Sequence, residues 1–201
     1  MGAPRETSRL AVFASGSGSN FGAVVAACRE GRLPAEVALC VCDRARAGVL
    51  ERARAAAVPS VVVTPRSYPD REALDHALAG FVRAVRAELV VLAGWMRILG
   101  PAFLDAFPGR VLNLHPALPG ELPGVNAIAR AWREGQAGAR TRTGVMVHHA
   151  VPEVDAGPVI RQEEVALVAG EPLEALEARV HAVEHRLLVA AIGDVLSGRG
   201  K

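Results

Sequence analysis

LAVFASGSGSNFGAVVAAC, residues 10–28, shows in miniature how the whole chain is organised. Leu10 to Ala14 are all apolar, and so short an apolar run reads as a strand buried on both faces. Ser15-Gly16-Ser17-Gly18-Ser19-Asn20 then break the run. Beyond them, Phe21, Val24, Val25 and Cys28 fall on one face of a helix predicted over 21–30. Strand, glycine turn and helix together open a βαβ unit.

The alternation continues outward from there. Val37–Cys42, Ser60–Val63 and Leu89–Ala93 are further apolar runs, with helical patterns around 45–56 and 70–88 between them. Leu74, Leu78, Phe81, Val82 and Val85 give the second of these helices its buried face, and Asp70 or a neighbour starts it. After Gly94 the texture changes. A short helix is expected over Pro101–Phe107 and a strand over Val111–Leu114. Residues 117–125, ALPGELPGV, hold two Pro-Gly pairs and form a long loop, which at a strand end is usually functional. A helix over 126–133 and a polar loop over 135–142 follow, then strands over 145–150 and 159–168 paired through a turn at Asp155-Ala156-Gly157-Pro158. An amphipathic helix over about 172–197 carries Glu184 and His185. The predicted fold is α/β: a single Rossmann-like domain over 10–201 with a mostly parallel twisted sheet, helices on both faces, a C-terminal antiparallel strand pair and a long terminal helix. Residues 1–9 are expected to be a loosely attached tail.

The 201 residues are 51% hydrophobic and 22% charged, with a net charge of +2, as in an ordinary globular protein. Near-balanced charge gives no call for nucleic acid or an acidic membrane surface. No run reaches the ~18 apolar residues of a membrane span, and residues 1–9 lack an apolar signal core. Cys28, Cys40 and Cys42 sit in apolar surroundings without zinc-ligand spacing, so no metal is expected and a reducing cytoplasm fits them. Monomer and homodimer are equally compatible with the sequence.

Gly16-Ser17-Gly18 between strand and helix is a phosphate-binding device, because glycine backbone N–H groups and the helix N-terminus attract an anion. Gly16, Gly18 and Gly22 also make GxGxxxG, and Asp43 ends the next strand where a dinucleotide-binding domain carries its ribose-binding acid. A plain turn capped by Ser19 is a third reading. The loop alone leaves phosphate ester, dinucleotide and turn open.

Asn113 and His115, two apart on a strand, point to the same face, and Pro116 holds His115 extended. Two N–H groups aimed at one point can bind the oxygen of a carbonyl becoming tetrahedral. Asp155 is a candidate carboxylate to favour protonated His115 and relay a proton. Each residue alone also has a structural explanation as a turn, cap or core residue. His148-His149 suggests a metal pair, but neighbours on a strand alternate faces, so only one can enter a site. With no spaced nucleophile, direct acyl transfer between two bound substrates is the chemistry that remains.

FASGSGSN (13–20), VLAGWMRILGPAF (91–103), VLNLHPALPG (111–120), VDAGPVIRQ (154–162) and ARVHAVEH (178–185) together resemble the phosphoribosylglycinamide formyltransferase family over nearly the whole chain. The resemblance implies transfer of the formyl group of 10-formyltetrahydrofolate, a cosubstrate, to the amino group of glycinamide ribonucleotide in purine biosynthesis, with small-molecule partners only. It implies that Gly18, Ser19 and Asn20 hold the substrate phosphate and Glu184 the ribose hydroxyls. The pterin would lie along Leu92, Met96, Arg97, Ile98 and Leu99, with Asn113 beside it and the turn from Ala150 to Asp155 closing over it. Asn113 and protonated His115 would stabilise the oxyanion, and Asp155 would keep His115 charged.

The chain departs from the family pattern at Ala117, Pro119 and Gly120, at Asn126 where a histidine is expected, at Cys42-Asp43 where Ser-Asn is expected, and mildly at Trp95. Those loop changes bear on the acceptor more than on the reaction. Formyltetrahydrofolate hydrolysis, transfer to another amine, methionyl-tRNA formylation and a dinucleotide-binding oxidoreductase using Gly16–Gly22 and Asp43 are the competing readings. The tRNA enzyme carries a basic C-terminal domain and the hydrolase an N-terminal regulatory one, neither of which is expected here.

Overall fold

Alternate residues of strand β1 (Ser8–Ala14) enter two different cores in the computed structural model, which describes residues 7–198. Leu10, Val12 and Ala14 pack with α1 (Ser19–Arg29), α2 (Gly48–Ala55) and α6 (Leu173–Leu196) on one side. Ala11 and Phe13 pack with α3 (Arg71–Ala84) and α4 (Pro101–Leu104) on the other. Two faces buried at once require an unbroken apolar strand, which is why the sequence reads as it does.

The other strands are β2 (Ala35–Cys42), β3 (Ser60–Val62), β4 (Leu89–Leu92), β5 (Val111–His115), β6 (Arg142–His149) and β7 (Val159–Ala166). They form one sheet in the order β3-β2-β1-β4-β5-β6-β7. Neighbours from β3 to β5 are parallel, while β5–β6 and β6–β7 are antiparallel. This is the expected fold. Strand order reverses between β1 and β4, and in open α/β sheets the crevice beyond the carboxyl ends at such a point is where ligands bind. A last helix, α5 (Ala127–Gln136), packs beside α6. Among the described residues no helix is long and apolar enough to cross a membrane.

Several boundaries differ from expectation: α4 ends at Leu104, α5 runs on to Gln136 and β6 starts at Arg142, and two further differences have a local cause. β1 takes in Ser8 and Arg9 from the stretch expected as a tail, with the Ser8 N–H on the Pro34 carbonyl at 3.1 Å; residues 1–6 lie outside those described. α3 stops at Ala84, four residues early. Arg86 adopts φ 51°, and the Ala87 N–H turns back to the Val82 carbonyl at 3.1 Å, so the chain leaves the helix there. Glu88 then donates to the Arg9 carbonyl at 2.8 Å and starts the next strand in register.

Candidate active site

Gly18 ends the β1 turn at φ 76°, and a Cβ there would sit 2.7 Å from Val49. Only glycine fits both constraints. Gly18 is also the N-cap of α1, with no side-chain hydrogen bond capping the helix and no acid in its first turn. The Ser19 cap, one of the three readings of the loop, is therefore absent. The uncapped first-turn N–H groups lie beside the cleft, an arrangement suited to an anion. The Asn20 side chain is committed elsewhere: its Nδ2 donates to Glu184 Oε2 at 2.9 Å.

Glu184, on the middle of α6, is buried at 4% exposure. The same Oε2 also meets His181 Nδ1 at 2.9 Å, one helical turn earlier. That hydrogen bond to Glu184 raises the His181 pKa, outweighing partial burial, with the charges of Glu184 and Glu177 adding to it. A ring whose charged form is favoured thus lines the same cleft as the glycine loop. The sequence reading missed His181, although its i,i+3 spacing from Glu184 inside ARVHAVEH was a usable signal.

The opposite end of the cleft is built on β5. Leu112 and Leu114 point into the first core, so Asn113 and His115 share the other face with Val111. Asp155 comes in from the 150–158 turn at φ 54°, a conformation an aspartate side chain tolerates. Its Oδ1 accepts from Asn113 Nδ2 at 3.0 Å, and its Oδ2 accepts from the Gly124 N–H at 2.8 Å. The same Oδ2 lies 3.4 Å from His115 Nδ1. Asn113, His115 and Asp155 are therefore in mutual reach.

A fourth side chain joins them. His148 pairs directly across from Asn113 in the β5–β6 ladder and is 2% exposed. The register slips between Val147 and His148, and such a bulge re-aims the side chain beside it. Its Nδ1 donates to the His149 carbonyl at 2.9 Å, and its Nε2 lies 3.1 Å from Asn113 Nδ2 and 3.7 Å from Asp155 Oδ1. Gly157 makes room for this, since a Cβ there would fall 1.8 Å from that His149 oxygen. Asn113 Nδ2 thus lies within hydrogen-bond distance of both Asp155 and His148.

Burial as well as neighbouring charge acts on the titratable groups of this cluster. Burial pushes the His115 pKa down, and the opposing pull of Asp155 and of the Leu122 carbonyl does not restore it. The ring is 4% exposed, with Nε2 donating to the Leu122 carbonyl at 3.1 Å. Burial thus works against the imidazolium that Asp155 favours. Burial pushes the Asp155 carboxyl up, but the His148 ring, the Gly124 N–H and His115 outweigh it and hold the group below the usual carboxylate range.

Leu92, Met96, Arg97, Ile98, Leu99 and Ala150 line the same cleft, whose volume is about 1210 Å³. Single ligands typically occupy ~300–1,000 Å³, so two substrates fit side by side. Met96, Ile98, Val125 and Val154 expose between 47% and 65% of their surface there, an apolar wall open to a flat ring. Asp43 does not fit the dinucleotide reading. Its side chain is wholly buried and its Oδ2 accepts from Arg97 Nε at 2.7 Å, so no carboxylate is presented to a ribose.

An anion-binding helix end and a paired carbonyl-polarising cluster, facing one cleft large enough for two molecules, define a group-transfer enzyme. The chain belongs to the formyl transferase family: residues 8–192 match the family model described as Formyl transferase. It is similar over nearly its full length to proteins named phosphoribosylglycinamide formyltransferase. That of Schizosaccharomyces pombe is 40% identical, covering 94% of this chain and 97% of its own. That of Bacillus subtilis is 38% identical, covering 94% of each. The crystal structure of glycinamide ribonucleotide transformylase 1 from Symbiobacterium toebii superposes with a TM-score of 0.92 at 42% identity, covering 97% of this chain and 90% of that one.

Proposed function

We propose that the protein transfers the formyl group of 10-formyltetrahydrofolate to the amino group of glycinamide ribonucleotide by direct attack through a tetrahedral intermediate. The observation that carries this reading is the Asn113–His115–Asp155 cluster at the end of β5, within one cleft with the uncapped N-terminus of α1. The ribonucleotide phosphate sits on the N–H groups of Gly18, Ser19 and Asn20, with His181 adding positive charge. Glu184 takes the ribose hydroxyls. The folate ring lies along Leu92 and Met96–Leu99, between the apolar wall and Ala150.

As the amine attacks the formyl carbon, its oxygen gains negative charge. Asn113 turns one amide hydrogen from Asp155 or His148 to that oxygen, and His115 supplies a second N–H by turning its Nε2–H from the Leu122 carbonyl. The amine becomes cationic on attack and must lose a proton, while the folate nitrogen must gain one to leave. Asp155, ionised and in contact with both Asn113 and His115, receives the first, and His115 is the group placed to return it. Negative charge developing at the oxygen raises the pKa of His115 during this step, opposing the burial that lowers it.

The test is loss of the formyl donor, followed by absorbance, with and without glycinamide ribonucleotide. Turnover only with the ribonucleotide supports the transferase. Equal turnover without it replaces the proposal with donor hydrolysis, and no turnover in either case refutes both.

A further inference from the structure

Residues 94–100, which the proposed function sets against the folate ring, are tethered at almost every position. The Ser15 N–H donates to the Gly94 carbonyl at 3.0 Å, and the Met96 N–H donates to Ser15 Oγ at 2.9 Å. Trp95 turns inward, 8% exposed, with its ring edge-on to Phe13 at 5.2 Å. Leu99 is buried. Ordinary packing accounts for these contacts.

Two buried carboxylates do something packing does not require. Asp43, at the end of β2, has a side chain with no exposure and takes Arg97 Nε at 2.7 Å; its other oxygen has no partner among the described residues. Asp75, inside α3 and 2% exposed, accepts the Gly100 N–H. A Cβ on Gly100 would lie 2.3 Å from Asp75 Oδ2, so only a glycine lets the backbone come this close. One turn before Asp75, Arg71 Nη1 donates to the Ile98 carbonyl at 2.5 Å. The segment is held from the β2 side at residue 97 and from α3 at residues 98 and 100. What remains free are the side chains of Met96 and Ile98, 52% and 57% exposed along the cleft wall.

Burying a carboxylate is costly unless it is paired, and a buried ion pair is often no more stable than well-packed apolar residues in the place of both partners. A carboxylate is warranted where a backbone segment must be fixed without filling the space that its outward side chains face. We infer that Asp43 and Asp75 are positioning residues for the formyl donor: through Arg97 and Gly100 they fix the 94–100 segment so that Met96 and Ile98 form a preset wall for the folate ring. The inference rests on the proposed function for the identity of the ligand, but its geometry does not.

Four variants test it, Asp43→Ala, Asp43→Asn, Asp75→Ala and Asp75→Asn, each made in a Trp132→Phe background so that Trp95 is the sole indole. The KM for 10-formyltetrahydrofolate is expected to rise on the order of tenfold or more in both alanine variants, since a misplacement of about 1 Å can cost up to ~10²-fold. The KM for glycinamide ribonucleotide should stay within about twofold, since its contacts lie across the cleft. Trp95 emission should shift to the red and lose anisotropy. Asp75→Asn keeps an acceptor for Gly100 and should recover the donor KM; Asp43→Asn keeps an acceptor for Arg97 without the charge and should recover it in part. If an alanine variant fails to fold, Gly100→Ala strains the same contact from the other side and should give the same donor-only defect. An unchanged donor KM, or a rise in both KM values together, overturns the inference. Absence of turnover in the unsubstituted protein would instead overturn the proposed reaction, and Trp95 emission then decides alone: no change in either alanine variant refutes the clamp.

Discussion

Replacing Asp155 with Asn removes a charge while leaving shape and backbone nearly intact, so its effect can be worked out in advance. The carboxylate lies 3.4 Å from His115 Nδ1. At an effective dielectric constant of about 20, a full charge pair at that distance interacts by about 5 kcal/mol. An imidazolium about half formed in the transition state loses about half of that, near 2.5 kcal/mol, or roughly 10²-fold in kcat. Asparagine tolerates the φ of 54° at this position, so no backbone strain is added. Asparagine can accept with only one oxygen, however, so either Asn113 Nδ2 or the Gly124 N–H is left facing an amide, costing about 1–3 kcal/mol of stability. The pH profile gives an independent check. Asp155 is the principal group raising the His115 pKa, so its neutralisation lowers that value further and moves the active range to more acid pH. The assay is donor consumption at saturating concentrations of both substrates across pH, with a urea titration alongside. A variant within about threefold of wild-type kcat, or one whose profile moves toward alkaline pH, would refute the coupling of Asp155 to His115.

Asn113→Ala deletes the amide shared by Asp155 and His148 and should cost about 10²–10³-fold in kcat; a change confined to KM would remove Asn113 from the oxyanion site. Gly18→Ala must adopt φ 76° and place a methyl 2.7 Å from Val49, so it should lower stability by at least about 1–3 kcal/mol, read by urea melts, and raise the KM for the ribonucleotide. A wild-type melt would contradict that close packing. Glu184→Ala frees Asn20 and His181 and should raise the ribonucleotide KM with kcat largely kept; a defect in turnover alone would reassign the residue. Two histidines should pull stability in opposite directions with pH, and urea midpoints between about pH 5 and 8 separate them. His115 has a lowered pKa, so below about 6.5 the unfolded chain binds a proton the native ring refuses, and stability falls with falling pH. His181 has a raised pKa, so its contribution is fully present below about 6.5 and is lost as pH rises through its folded value. His115→Asn should flatten the acid side of the curve and His181→Gln the alkaline side; an unchanged curve in either variant contradicts its assignment.

What the sequence discloses and what it conceals divide along a physical line. Leu10 to Ala14 and Leu89 to Leu92 are apolar at every position because helices cover both faces, so strands and layer order could be read locally. The end of α3 could not, because Arg86 takes a left-handed conformation with no glycine to signal it. The site divides in the same way. Asn113 and His115 share a face by strand periodicity, which is a local fact. His148 enters beside them only through a cross-strand register and a bulge, which are facts about β5, β6 and β7 together. Residue identity suggested a charged His115 because a carboxylate was at hand. In the folded chain Leu122 and its loop bury the ring, and desolvation works against that charge. The same logic governs Asp43, whose place at a strand end suggested a ribose ligand until Arg97, 54 residues away, was found to occupy it. Residue types at the correct spacing set out which chemistry is available, and burial decides which of those groups is charged or free to take part. Burial works against charge on His115 while its partners favour the ionised Asp155, so a substrate that brings negative charge beside the ring would draw it toward the imidazolium.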